Sequence, residues 1–171
     1  MSEAMDRLLN AKEVDIFEEV RSRIASDGIQ WPYAENASEA WKSLTNTFNK
    51  YCTVTKEVSA DTGDFGKRSV QLLKCDYNGK QFYAVVSRVT DVFDFEPSSS
   101  YPYTRITRRE MWAKAAEDYN DALWWFNNAL ENQAYELKFL AHEKTFGETS
   151  KELEKAAEKF EGSVVRTSII H

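Results

Sequence analysis

The dipeptide Asn78-Gly79 is the sequence feature that most limits what this chain can fold into. A type I′ turn needs positive φ at both central residues, and Asn-Gly adopts it more readily than other pairs. The two flanking runs carry the β-branched and aromatic residues that strands favour. These runs are 68–77 and 80–95. We therefore predict an antiparallel hairpin in which Cys75 lies opposite Phe82.

The other elements are predicted from hydrophobic periodicity and helix capping. Four segments place Glu three positions after a polar residue, as in a capping box, and each precedes an apolar pattern of helical period. The predicted helices are 11–26, 37–50, 108–142 and 150–160, and the predicted strands are 52–58, 68–77, 80–95 and 163–170. The order ααβββααβ indicates an α+β fold. We expect one domain over residues 1–171, with a mostly antiparallel sheet of about four strands covered by helices on one face.

The segment 108–142 is predicted to form one unusually long helix, because its apolar residues recur in alternating steps of four and three. At about 1.5 Å per residue such a helix would span about 52 Å, whereas a compact domain of this size is about 40 Å across. Either the helix breaks near Asn127 or it packs on a partner. The candidate interface residues are Trp112, Tyr119, Trp124, Trp125, Tyr135 and Phe139. The competing interpretation is that these aromatic residues belong to the core.

Three arginines cluster where the long helix is predicted to begin. A helix N-terminus offers unpaired backbone N–H groups, and with arginines these bind phosphate or carboxylate. Two tyrosines just before these arginines could stack on a nucleotide base, and two basic residues near the loop before the hairpin could complete the anion site. The candidate anion- or nucleotide-binding residues are Arg105, Arg108, Arg109, Tyr101, Tyr103, Lys67 and Arg68. The competing interpretation pairs the arginines with the chain's own acids, since Asp+Glu number 28 against 22 Lys+Arg.

The order of a helix at 37–50, three strands and a helix from 108 resembles the double-stranded RNA-binding domain. That domain carries phosphate-contacting basic residues at the start of its second helix. Arg105, Arg108 and Arg109 stand at the matching place, so the resemblance implies contact with RNA phosphates. It covers roughly half of the chain. The net charge of −6 disfavours nucleic acid as a partner without excluding it.

Chemistry based on His, Cys or metals has few residues to use, because the chain holds only two His and two Cys. We predict no catalytic residue, metal ligand or cofactor. A divergent metal-dependent hydrolase would have to use acids of the long helix, which we interpret as a solvated face. Those acids are Glu110, Glu117, Asp118 and Asp121. Cys52 and Cys75 could form a disulfide, but the favoured interpretation is two buried, reduced thiols.

The sequence thus favours binding without catalysis. We expect an acidic, cytoplasmic, regulatory or inhibitory module that contacts another protein stoichiometrically through an aromatic helix face, as phage or mobile-element inhibitors do. A second copy of the chain, giving a homodimer, is the other candidate partner, and no membrane span is expected. The alternatives are binding of a phosphorylated ligand, nucleotide or RNA at 101–109, and the metal-dependent hydrolase.

Overall fold

The computed structural model describes residues 5–6, 8–9, 13–23, 30–32, 35–63, 66–95, 104–143 and 148–165. Residues 5–6 and 8–9 are helical. The strands are β1 (Glu13–Arg23), β2 (Gln30–Pro32), β3 (Cys52–Asp61), β4 (Gly66–Tyr77), β5 (Lys80–Phe95) and β6 (Thr104–Ala116). The helices are α1 (Glu35–Tyr51), α2 (Tyr119–Glu143) and α3 (Glu148–Gly162).

Within the described residues, the six strands form one antiparallel sheet in the order β2-β1-β6-β5-β4-β3. Five of these strands are long, and β2 adds a three-residue edge. The predicted hairpin is confirmed: Asn78 and Gly79 have φ of 53° and 76°. Its register places Cys75 opposite Phe82. The turn chemistry therefore determines the pairing at the centre of the sheet.

Helices cover both faces of the sheet, not one face as expected. Successive strand residues point to opposite faces. Val70, Leu72 and Val85 pack with α2 and α3 in one buried cluster. The opposite face is buried against α1 and the N-terminal helical residues, in a cluster that includes Leu44 and Met5. The α+β class is confirmed, and the long strands β4 and β5 are buried from both sides.

Five predicted elements are confirmed with small changes of boundary: helices 37–50 and 150–160, and strands 52–58, 68–77 and 80–95. The predicted order is wrong, because the described elements from Glu13 onward run ββαββββαα, after the helical residues 5–6 and 8–9. The predicted final strand is also not found where the structure describes it. Residues 163–165 follow α3 without strand structure, and 166–170 lie outside the described residues.

The predicted helix 11–26 is wrong, because Glu13–Arg23 is strand β1. Val14 and Ile16 alternate with acids, which is the period of two expected of a strand. Other apolar residues of the segment are three or four positions apart, which also fits the period of a helix. Pairing with β6 along the whole strand satisfies the backbone hydrogen-bonding groups on that side of β1. Tertiary pairing of this kind routinely overrides weak local propensity.

The predicted single helix 108–142 is wrong in its first third. Thr104–Ala116 is strand β6, and the helix begins only at Tyr119. Trp112 and Ala116 are four residues apart, which places them on one face of a helix and also on one face of a strand. The helix that remains is about 37 Å long at 1.5 Å per residue, so it fits within one domain.

Cys52 and Cys75 form a disulfide across β3 and β4, so the expectation of two reduced thiols is wrong. The two residues are directly opposite in the strand register, with their Cα atoms 4.1 Å apart. That separation lies just below the usual range for disulfide-bonded residues. The pairing ties the start of the edge strand to its neighbour. The cytoplasmic location stays a prediction.

Over the part of the chain that the structure describes, no helix is both long enough and apolar enough to cross a bilayer.

Candidate functional site

Two adjoining cavities lie between α2 and the sheet. The α2 cleft, of about 240 Å³, is lined by Asp15, Ser87, Val89, Glu110, Trp112, Trp125, Asn128, Ala129, Asn132, Gln133 and Glu136. The arginine pocket, of about 320 Å³, is lined by Arg68, Asp91, Arg108, Tyr135, Glu136, Phe139 and Leu140. Glu136 lines both cavities, so they lie side by side along α2.

Strand register explains why these side chains meet. Asp15 of β1 lies opposite Trp112 of β6, and Trp112 lies opposite Ser87 of β5. One row further along, Glu110 lies opposite Val89. Because alternate residues of a strand share a face, these rows place carboxylate, indole and hydroxyl groups under α2.

Arg68 forms the most deeply buried polar contacts of the site, with only 3% of the residue exposed. Its Nε and Nη2 donate to the two carboxylate oxygens of Asp91 at 3.3 and 2.8 Å. Its Nη1 donates to Gln133 Oε1 at 2.8 Å and to Glu136 Oε2 at 2.5 Å. Gln133 in turn donates to Ser87 Oγ at 2.8 Å. The guanidinium therefore links two strands to two successive turns of α2.

Burial raises the pKa of Asp91 above its ordinary value, and the charge and hydrogen bonds of Arg68 partly oppose that rise. Desolvation penalises the ionised carboxylate, whereas the nearby guanidinium stabilises it. The ionised form of Asp91 is thus stabilised mainly by Arg68, with a smaller electrostatic contribution from Arg108. The buried pair specifies how α2 sits on the sheet, because removing either partner leaves a buried charge or donor uncompensated.

Arg108 belongs to the same face and lies directly opposite Asp91 in the β5–β6 register. Its guanidinium forms an ion pair with Glu110, two residues along the same strand. The pair is partly exposed at the cleft, so its contribution to stability is small compared with that of Arg68 and Asp91.

The aromatic candidates divide into two groups. Trp112 and Trp125 are half-buried in the α2 cleft, with ring centroids 5.9 Å apart. Trp124, Tyr135 and Phe139 are 59%, 73% and 57% exposed. Eleven residues make about three helical turns and four make one, so these three rings share one side of α2. We call them the aromatic stripe.

Tyr119 and the remaining cation candidates lie elsewhere. Tyr119, at the N-terminal end of α2, contacts Tyr83 edge-on, with the two ring centroids 5.6 Å apart. Lys67 and Arg109 alternate with Arg68 and Arg108, so they point to the opposite face of the sheet.

The predicted anion site is built on a wrong premise, because Arg105, Arg108 and Arg109 lie on strand β6 and not at a helix start. Tyr101 and Tyr103 lie outside the described residues, as does the side chain of Arg105. Arg68 and Arg108 are instead paired with carboxylates of the chain. Binding of an anion or nucleotide stays a prediction. Strand β6 stands where the resemblance to the RNA-binding domain requires the start of the second helix.

The acids considered for metal binding do not share one helix, because the chain forms strand β6 up to Ala116 and helix α2 begins only at Tyr119. Glu117 and Asp118 lie in the turn before α2, and only Asp121 lies in the helix. Asp118 caps that helix, because its Oδ1 accepts the Asp121 N–H at 2.9 Å. Glu110 lines the α2 cleft. Among residues whose positions are described, no group of three or more His, Cys, Asp or Glu could hold a metal ion.

Sequence reasoning missed Asp91 and the polar side of α2. Gln133 interrupts an otherwise apolar seam, and a polar residue at such a position indicates a buried hydrogen-bonding partner. Asp91 similarly interrupts a run of β-branched residues in β5. These two polar residues in apolar patterns were the sequence signal for a buried polar network.

Comparison with known proteins gives no relative for this chain: no protein-family model, no curated protein and no solved structure matches it. The candidate function therefore depends on the geometry of the α2 cleft, the arginine pocket and the aromatic stripe.

Proposed function

We propose that this protein binds another protein through α2, by stoichiometric contact and without catalysis. The observation that carries the proposal is the aromatic stripe, in which Trp124, Tyr135 and Phe139 are each more than half exposed on one side of one helix. Exposed rings of this size cost free energy in water, since each carries about 150–250 Å² of surface. Contact with a partner would recover that cost.

The stripe has the composition and extent of an interface core. Aromatic residues are enriched in the buried cores of interfaces, and a few of them usually carry most of the binding energy. From Trp124 to Phe139 the stripe extends about 22 Å at 1.5 Å per residue. The arginine pocket opens beside Tyr135 and Phe139, which line it. A partner that covers the stripe would therefore also cover the mouth of this pocket.

A regulatory or inhibitory role is the form of binding that we propose, as for phage or mobile-element inhibitors. Such a protein acts by covering a surface of its partner, so its effect should saturate at one copy per partner. A catalyst would instead act at a small fraction of that amount.

Replacing Trp124, Tyr135 and Phe139 together with Gln should abolish partner binding while leaving the fold intact. The three side chains are exposed, so their removal should change the free energy of unfolding little. Because interface aromatics are common hot spots, we expect affinity to fall at least about a hundredfold. The measurement is affinity capture from cells that produce the protein, mass-spectrometric identification of the captured protein, and calorimetric titration of the purified pair.

The matched control is Glu154→Gln with Glu158→Gln on α3, whose side chains are also exposed. This variant should bind like the wild type. The proposal fails if the triple variant, still folded by circular dichroism, binds the purified partner as tightly as the wild type does. Light scattering of the protein alone distinguishes the homodimer: a stripe-dependent dimer would make a second copy the partner.

A further inference from the structure

We propose that the α2 cleft receives an arginine side chain of the partner. This inference rests on the proposed function, because it names the chemistry by which a protein partner would be recognised. It is carried by the cleft between α2 and strands β1, β5 and β6, not by the exposed stripe. The cleft combines three features: carboxylates, indole walls and side-chain amides.

The carboxylates of the cleft favour a cation as the bound group, and two of them already pair with arginines of the chain. Asp15, Glu110 and Glu136 line it, and among its described lining residues there is no Lys or Arg. The ion pairs with Arg108 and Arg68 engage Oε1 of Glu110 and Oε2 of Glu136, one oxygen of each carboxylate. A carboxylate has two oxygens and about four acceptor positions, so each of these groups can accept further donors.

The walls of the cleft suit a planar cation. Trp112 and Trp125 form one side, and a guanidinium stacks on indole more favourably than a compact ammonium does. Asn128 and Asn132, one turn apart on α2, add amide oxygens that accept hydrogen bonds. An arginine guanidinium has five N–H donors in one plane. It can therefore donate to a carboxylate and to neighbouring amide oxygens at the same time.

The protein already uses this chemistry on its own cations. Arg68 reaches α2 from the adjoining pocket and donates to Gln133 and Glu136, both of which also line the α2 cleft. Lys114 Nζ lies 4.4 Å from the centroid of the Trp125 ring. These two turns of α2 therefore bind a guanidinium from one cavity and present the same residue types to the next.

The test uses a capped tripeptide, acetyl-Gly-Arg-Gly-amide, and its neutral analogue in which citrulline replaces arginine. Titration followed by NMR should shift the indole N–H signals of Trp112 and Trp125 with the arginine peptide and not with the citrulline peptide. Asp15→Asn combined with Glu110→Gln should weaken the binding of the arginine peptide roughly tenfold, because two carboxylates of the cleft lose their charge and the guanidinium of Arg108 loses its partner Glu110. Glu154→Gln with Glu158→Gln changes the net charge equally on α3 and should leave the binding unchanged.

The inference is overturned if both peptides shift the indoles equally, if neither shifts them, or if the α3 control weakens binding as much as the cleft variant. Its failure is distinguishable from failure of the proposed function. If the aromatic-stripe variant loses the partner while the cleft variant retains it at full affinity, the protein binds through α2 but does not recognise arginine. If arginine binds in the cleft and the aromatic-stripe variant retains the partner, the stripe is not the interface.

Discussion

Replacing Arg68 with Met should lower the free energy of unfolding by about 3–5 kcal/mol, the usual cost of removing one partner of a buried ion pair. Arg68 is 3% exposed and donates to Asp91, Gln133 and Glu136. Without it, the buried Asp91 carboxylate loses both of its hydrogen bonds to Arg68 and keeps only the weaker electrostatic influence of Arg108. For a domain of this size we expect the melting temperature to fall by roughly 6–20 °C. Urea unfolding and calorimetry measure both quantities.

The control for this prediction is Lys67→Met, the exposed neighbour on the other face of β4. It removes the same charge and should change the free energy of unfolding by less than about 0.5 kcal/mol. Adding Asp91→Leu to Arg68→Met should recover part of the loss, because both buried charges are then gone. Equal destabilisation by the Arg68 and Lys67 substitutions would contradict the structure.

The loss caused by Arg68→Met should also depend on pH. Burial raises the pKa of Asp91, and Arg68 opposes that rise in the wild type. In the variant the folded-state pKa of Asp91 therefore lies further above its unfolded value. The folded variant then binds the proton more tightly than the unfolded chain does, so this contribution is present at low pH and is lost as pH rises. The variant should be less destabilised at pH 5 than at pH 8.

Replacing Gly66 with Ala should destabilise the protein on the order of 4 kcal/mol, through backbone strain and strand displacement. Gly66 has a φ of +109°, and a Cβ placed there would lie 1.9 Å from the carbonyl oxygen of Thr90. Thr90 belongs to β5, so relief of the overlap requires the two strands to separate beside Asp91, which is paired with Gly66 in the register. Chemical denaturation with circular dichroism tests this.

Gly162→Ala is the control, because a Cβ there meets nothing within 4 Å. This substitution should be close to neutral. If Gly66→Ala unfolds at the same denaturant concentration as the wild type, β4 and β5 do not pair at that end as described.

The hairpin and the helices α1 and α3 could be predicted because local chemistry determines them. Asn78-Gly79 strongly favours its turn, and the capping boxes that begin at Asn36 and Thr149 lie within one residue of the observed helix starts at Glu35 and Glu148. The other two capping-box patterns include residues of strands β1 and β6. Strand β6 could not be predicted in this way, because Trp112 and Ala116, four residues apart, share one face in a helix and also in a strand. Only its pairing between β1 and β5, which are distant in sequence, decides between them.

The candidate site was predicted in part, for a related reason. The aromatic residues of α2 were identified, since their type and spacing suffice. Arg68 and Arg108 were identified, but with the wrong neighbours, because the sequence does not reveal that β4, β5 and β6 bring Arg68 beside Asp91. Asp15 could not be placed at all while its segment was interpreted as a helix. Side chains that meet across strands are located only once the register is known.

Site-specific photo-crosslinking tests the central claim most directly, namely that a partner protein docks on α2. A benzoylphenylalanine residue placed at Tyr135, which is 73% exposed in the aromatic stripe, is compared with one placed at Glu154, exposed on α3. The proposed function predicts a crosslink to the partner at one copy each from position 135 and none from position 154. A crosslink from position 154 with none from position 135 would show that the partner binds elsewhere and would contradict it.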